Sequence, residues 1–203
     1  MKKLFILAAF VLGAVSLNAQ DVGQMWVGGS LGFSTSKVKD ADRQTSYKIL
    51  PEFGYVVNEN FGVGINVGFA HTEGRFANLY PNANLVAAEE DGIIVAPFLR
   101  YTLLKGDIGG MFLDGGVNYY YAKDKGNDLK TNIFEVGIRP GVAISISDCL
   151  SLTGKFGFIG YTNTNADVLD VLSGSGSKTK FKENAFDLNF DMNQFLFGIN
   201  FVF

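Results

Sequence analysis

Seven charged residues occupy segments that are otherwise apolar or small: Lys48, Glu52, Arg100, Asp114, Glu135, Arg139 and Lys155. Four are bases and three are acids. In a poorly hydrated interior such a set must pair, because an unpaired buried charge is costly; in bulk water it could stay scattered. Three other stretches invite a chemical reading. His71-Thr72-Glu73 holds the only histidine beside a hydroxyl and a carboxylate, the ingredients of a nucleophilic triad. Adjacent strand residues point to opposite faces, however, so His71 and Thr72 are badly placed to bond each other and no catalytic residue is assigned. Glu89-Glu90-Asp91 offers the carboxylate oxygens calcium prefers, yet lacks the glycine-spaced pattern of a dedicated loop, so no metal site is assigned. The single cysteine, Cys149, excludes an internal disulfide and motifs built on cysteine pairs. Nothing in the chain points to a cofactor.

The elements carrying these residues have period two. In FGVGINVGFA, residues 61–70, the odd positions are Phe61, Val63, Ile65, Val67 and Phe69, and the even ones are glycine, asparagine and alanine. Such a segment is a strand with one apolar and one small or polar face. The pattern recurs in eight runs, near 25–35, 45–57, 61–71, 92–103, 111–122, 131–146, 150–161 and 185–203. In the 150–161 run the expected apolar face is Leu150, Leu152, Phe156 and Phe158. In the last run the phase changes from even (Phe186, Leu188) to odd (Phe195 to Phe203), which calls for a bulge near Asp191 to Gln194 or a loop that ends later. Connectors alternate between tight turns at 57–60, 105–107 and 147–149 and polar links at 36–44, 72–91, 123–130 and 162–184. Pro51, Pro97 and Pro140 fall on every second strand. Each must meet a bulge or a lost ladder bond, since proline has no N–H to give.

Alternating strands could close with the apolar face inward, as in a soluble lipid carrier, or outward toward a bilayer. The opposing face decides. It is rich in glycine, alanine, serine and asparagine and carries the seven charges, which suits a narrow eight-strand bore. A water-facing surface would carry more charge and less glycine. A charge facing lipid near the midplane costs about 2–4 kcal/mol, and a one-residue slip would expose both Glu135 and Arg139. The expected fold is therefore all-β: one eight-stranded antiparallel up-and-down transmembrane barrel with the seven charges networked in its lumen, for structure or gating. Trp26, Tyr55 and Tyr101, near strand ends, are expected in the boundary girdle.

The N-terminus agrees. Lys2 and Lys3, an apolar stretch from Leu4 to Val15 and the sequence Ser16 to Ala19 read as a secretory signal peptide, residues 1–19, before a barrel domain at 20–203. Without the two lysines, 17 basic residues become 15 against 20 acidic ones, and the formal charge moves from −3 to −5. That balance argues against a nucleic-acid partner.

The closing GINFVF resembles the C-terminal assembly signal of outer-membrane barrels, with Gly198, Phe201 and Phe203 in matching places and Leu196 where a polar residue is usual. ILPEFGYVVNENFGVG, residues 49–64, resembles the second-strand, turn and third-strand segment of the small outer membrane protein beta-barrel domain family. The resemblance implies an OmpA/OmpX-type barrel in a bacterial outer membrane, a monomer whose partners are its lipids and the barrel-assembly machinery. It implies no agreed activity; the expected role is a structural or surface-interaction barrel with a lumen filled by side chains, the alternative is a small porin-like channel, and an outer-membrane lipid-modifying enzyme is the least favoured reading, so no enzyme is expected. An extracellular ligand, if there is one, would meet the links at 72–91 and 162–184.

Overall fold

The computed structural model describes residues 22–36, 44–74, 88–126, 128–170, 177–189 and 195–203. The signal-peptide residues 1–19 lie outside them. Ten strands follow in order: β1 (Met25–Ser36), β2 (Gln44–Val56), β3 (Phe61–Gly74), β4 (Ala88–Gly106), β5 (Gly109–Asp124), β6 (Lys130–Ser147), β7 (Leu150–Lys155), β8 (Phe158–Asp170), β9 (Ser177–Asn189) and β10 (Leu196–Val202). They make eight staves, because β7 with β8, and β9 with β10, are each one interrupted stave. Every pairing is antiparallel, and β10 closes the barrel on β1 from Trp26↔Val202 to Gly32↔Leu196. Met25 and Phe203 extend the closure by exchanging backbone hydrogen bonds of 2.8 and 2.9 Å.

Burial is inverted relative to a water-soluble protein. Val67 is 52% exposed, Leu99 60% and Ile144 53%, whereas the few buried apolar side chains among the described residues, such as Leu50, Ile94 and Phe98, face inward. An apolar surface this extensive needs a non-aqueous neighbour. On β3 the outward apolar row from Phe61 to Phe69 runs about 27 Å along the strand at ~3.4 Å per residue. Tilted by about 40°, that is about 20 Å of height, close to the ~25 Å apolar band of outer-membrane barrels. The soluble-carrier arrangement is excluded.

The three prolines share one solution. Each turns its missing N–H toward the following strand. At Pro51 the β2–β3 ladder skips from Ile49↔Phe69 to Glu52↔Asn66; at Pro97 the β4–β5 ladder skips from Val95↔Tyr119 to Phe98↔Gly116. Register is unchanged in both, so bonds are lost without a bulge. At Pro140 the next stave is bulged. Pairing moves from Gly141↔Lys155 to Ile138↔Ile159, three residues against four. The extra residue lies at Phe156–Gly157, where Gly157 has φ +70° and Phe156 N–H donates to the Pro140 carbonyl at 3.0 Å.

That bulge corrects one expectation. Phe158 is not on the lipid face; the extra residue flips the phase, and Phe158 is buried in the lumen at 5% exposure. Trp26 is likewise not a girdle residue, being 4% exposed and inward, whereas Tyr55 and Tyr101 do face out. The phase change of the last stave is present, with Phe186 and Leu188 outward in β9 and Phe197, Ile199 and Phe201 outward in β10. Residues 190–194, where it must occur, lie outside the described set. The polar links are shorter than the sequence implied: β4 begins at Ala88, and β8 and β9 pair up to Asp170↔Ser177. Above the membrane both faces of a strand can be polar, so period two gives no signal there.

Candidate functional site

Four staves send one charge each to the same level of the bore: Glu52 from β2, Arg100 from β4, Asp114 from β5 and Lys155 from β7. Arg100 and Asp114 are direct cross-strand partners. The guanidinium grips the carboxylate through Nε to Oδ1 at 2.7 Å and Nη2 to Oδ2 at 2.8 Å, and Nη2 also reaches Glu52 Oε1 at 2.9 Å. Lys155 comes from the far wall. Its Nζ donates to Glu52 Oε2 at 2.6 Å and lies 2.9 Å from Asp114 Oδ2. Trp26 Nε1 donates to Glu52 Oε1 at 2.8 Å. Two acids and two bases cancel, and both carboxylates accept several charge-assisted bonds, the condition under which a buried ion cluster is tolerable.

Aromatic rings fill the space around the cluster. The Arg100 guanidinium carbon lies 4.2 Å from the Phe112 ring centre and 5.1 Å from those of Trp26 and Phe98, and Lys155 Nζ is 4.9 Å from that of Phe98. Such contacts add cation–π attraction. The rings fit because each covers a glycine directly across the ladder: Trp26 over Gly54, Phe98 over Gly64 and Phe112 over Gly141. A Cβ at Gly54 would fall 2.0 Å from the Trp26 ring, and at Gly141 2.3 Å from Phe112. The glycine-rich inner face is thus the floor on which aromatic rings lie.

The remaining predicted charges sit higher. Arg139 pairs with Glu135 at 3.1 Å, donates to the Gly157 carbonyl of the bulge at 3.4 Å and covers the Phe158 ring at 4.7 Å. Asn118 also donates to Glu135, at 2.6 Å. Lys48 lines a cavity of about 400 Å³ with Asn66, Ile94, Asn118, Glu135 and Arg139, and has no ion pair among the described residues. The seven residues therefore divide into a buried quartet, whose Asp114 and Lys155 border the cavity, an upper pair and one lysine facing open lumen.

His71 lies outward on the rim. Its Nδ1 is 2.6 Å from Asp91 Oδ1 and its ring packs on Tyr47 at 5.0 Å between centres. The carboxylate partner is therefore Asp91 on β4 rather than Glu73, and no hydroxyl is hydrogen-bonded to His71 among the described residues. The Glu89–Asp91 run is split by the wall. Glu90 turns inward and accepts from Thr131 at 3.2 Å, while Glu89 and Asp91 share Lys125 outside. Those two hydrogen bonds, the one to Glu89 first, hold the Lys125 ammonium pKa above its ordinary value. At the other end Gly198 is buried, with no room for a Cβ beside Thr153 and Gly29, and Phe201 and Phe203 face out.

The inner rings are the least legible part of the site in the sequence. Trp26 shares its parity with Gly28 and Ser30, a usable signal for inward placement; Phe158 gave none, because the bulge is invisible to periodicity.

A family model described as "Outer membrane protein beta-barrel domain" matches residues 4–196. The chain belongs to that family. Its structure resembles the outer membrane protein OprG from Pseudomonas aeruginosa, with a TM-score of 0.59 at 12% identity, covering 93% of this chain and 99% of that one. The Escherichia coli outer membrane protein W gives a TM-score of 0.48 at 12% identity over 91% of this chain and 100% of its own. At such identity the likeness speaks for the fold alone. No curated protein sequence matches. Family membership and the outward apolar band together place the barrel in a bacterial outer membrane. No helix among the described residues is long and apolar enough to cross one.

Proposed function

We propose that this protein is a sealed monomeric barrel with a structural or surface-interaction role, and that its lumen serves stability rather than passage or catalysis. The observation that carries this is the quartet Glu52–Arg100–Asp114–Lys155, which spans the bore from β2 to β7 and pairs all four of its own charges. Eight strands enclose little more than side chains, and here three aromatic rings occupy what the ion pairs leave. Contact work then falls to the long-loop end, including the links near 72–91 and 162–184. Gly198, Phe201 and the terminal Phe203 are the residues we expect the assembly machinery to read before insertion.

The test is a ladder of single cysteines in a Cys149→Ser background, probed on intact cells with a membrane-impermeant maleimide. Ser34→Cys, above the quartet, is expected to react, and Val56→Cys, below it, to stay unmodified. Labelling of both at similar rates would overturn the seal. A second reading, a small porin-like channel, is favoured by the cavity beside Lys48, and predicts that Val56→Cys reacts.

A further inference from the structure

The outward face of β9 grades from charge to oil: Lys178, Lys180, Lys182, Asn184, Phe186, Leu188. Beyond β8, whose outward face runs Asp167-Asn165-Asn163-Tyr161, a like gradation runs down the next two staves, Lys130-Asn132-Phe134 on β6 and Lys123-Tyr121-Tyr119 on β5. A polar rung marks where hydrocarbon ends. Tyr161 Oη donates to Asn184 at 2.8 Å and Tyr119 Oη to Asn132 at 2.9 Å. Lys182 is the next outward residue above Asn184, about 7 Å further along the strand at ~3.4 Å per residue. That is the depth of lipid headgroups, which occupy about 5–8 Å beyond the hydrocarbon on each side.

The arc is unevenly neutralised. Lys123 pairs with Asp128 at 2.6 Å, and Lys178 donates to the Asp128 carbonyl at 3.2 Å. Asp167, opposite Lys180 in the ladder, accepts from the Lys130 backbone N–H at 3.3 Å. Lys130, Lys180 and Lys182 have no ion pair among the described residues. Five lysines against Asp128, Asp167 and Asp91, the last opposite Lys123 in the ladder, leave a local excess of two positive charges among the described residues, on a chain that is acidic overall. The adjoining staves β4 and β3 carry Asp91, Glu89 and Glu73, the first two held by Lys125, so the basic arc ends at β5.

We propose that Lys123, Lys130, Lys178, Lys180 and Lys182 form a binding surface for the phosphate groups of the outer-leaflet glycolipid. Long-loop ends face outward in this class of barrel, so the arc meets the leaflet whose lipid is phosphorylated on a sugar headgroup. Alternate residues of one strand project side by side about 7 Å apart, and their flexible stems let three ammonium groups converge on clustered phosphates. The proposal deepens the surface-interaction role proposed above. It fails or stands on lipid binding, whereas the sealed-lumen reading fails or stands on thiol access, so the two outcomes are separable.

The test uses the full folded barrel in detergent, titrated with bisphosphorylated lipid A and with the same lipid after removal of both phosphates, bound lipid being read by native mass spectrometry. Basic residues near an anionic leaflet are each worth about a fivefold change in affinity. The variant K178Q/K180Q/K182Q is expected to bind bisphosphorylated lipid A on the order of a hundredfold more weakly, K182Q alone about fivefold, and K178R/K180R/K182R within about threefold of the native barrel. Heat-modifiable gel migration confirms that each variant is folded. Equal binding of the dephosphorylated lipid, or a triple glutamine variant within threefold of native, overturns the proposal.

Discussion

Replacing Arg100 with methionine should be the most damaging single change in the lumen. The substitution keeps a long apolar stem but removes three charge-assisted bonds, two to Asp114 and one to Glu52. Lys155 is then the sole cation between two carboxylates that are 3% and 6% exposed. Each lost bond to a charged group is worth about 1.5–3 kcal/mol, but the sum overstates the effect because Lys155 still serves both acids. The relevant magnitude is that of a buried ion cluster deprived of one partner, about 3–5 kcal/mol. The assay is urea unfolding in lipid vesicles, followed by the gel shift between folded and unfolded barrel. The double variant R100M/D114L keeps the Trp26–Glu52–Lys155 chain and removes the orphaned carboxylate. It should return to within about 2 kcal/mol of the native protein, since well-packed apolar replacements of ion pairs are often near neutral. If R100M alone costs less than about 1 kcal/mol, the charges are individually solvated and the network account is wrong.

Lys48→Met should cost less than about 1 kcal/mol by the same unfolding assay, because Lys48 faces open lumen without an ion pair and leaves no orphaned partner. Gly54→Val puts a side chain into the space of the Trp26 ring and should destabilise by about 1–3 kcal/mol, with a red-shifted tryptophan emission as the buried Trp26 is displaced. Gly115→Ala, on the lipid face with nothing within 4 Å of its Cβ, should be neutral or stabilise by up to about 1 kcal/mol in unfolding. Gly157→Ala forces an L side chain into φ +70° and should cost about 1–2 kcal/mol, leaving the Gly141↔Lys155 pairing intact by hydrogen exchange.

Much of this architecture is legible in the amino-acid sequence, because lipid is an unforgiving solvent. Glu135 and Arg139 in one strand are enough to set which face points inward, and the other charges inherit their direction from parity. The similar distance of Glu52, Arg100, Asp114 and Lys155 from short turns then puts them at one depth, where the structure joins them. What stayed hidden had equally physical reasons. Aromatic rings read the same on either face, so nearness to a strand end points Trp26 to the girdle, although its even position shares parity with the inward Gly28 and Ser30. A single extra residue at Phe156–Gly157 reverses parity without altering composition, which misdirected Phe158. Strands rising above the membrane, such as 162–170 and 177–184, lose the apolar half of the pattern and resemble loops. The pairing of His71 with Asp91 joins neighbouring staves across twenty residues, a distance over which periodicity carries no information.

The central claim is that the bore is closed by its own charges. Conductance of the purified barrel in a planar lipid bilayer tests it most directly. The native protein should pass no sustained current at moderate voltage, and R100A/K155A, which removes both cations of the quartet, should admit ions. Steady open-channel current from the native barrel, unchanged in that double variant, would contradict the account.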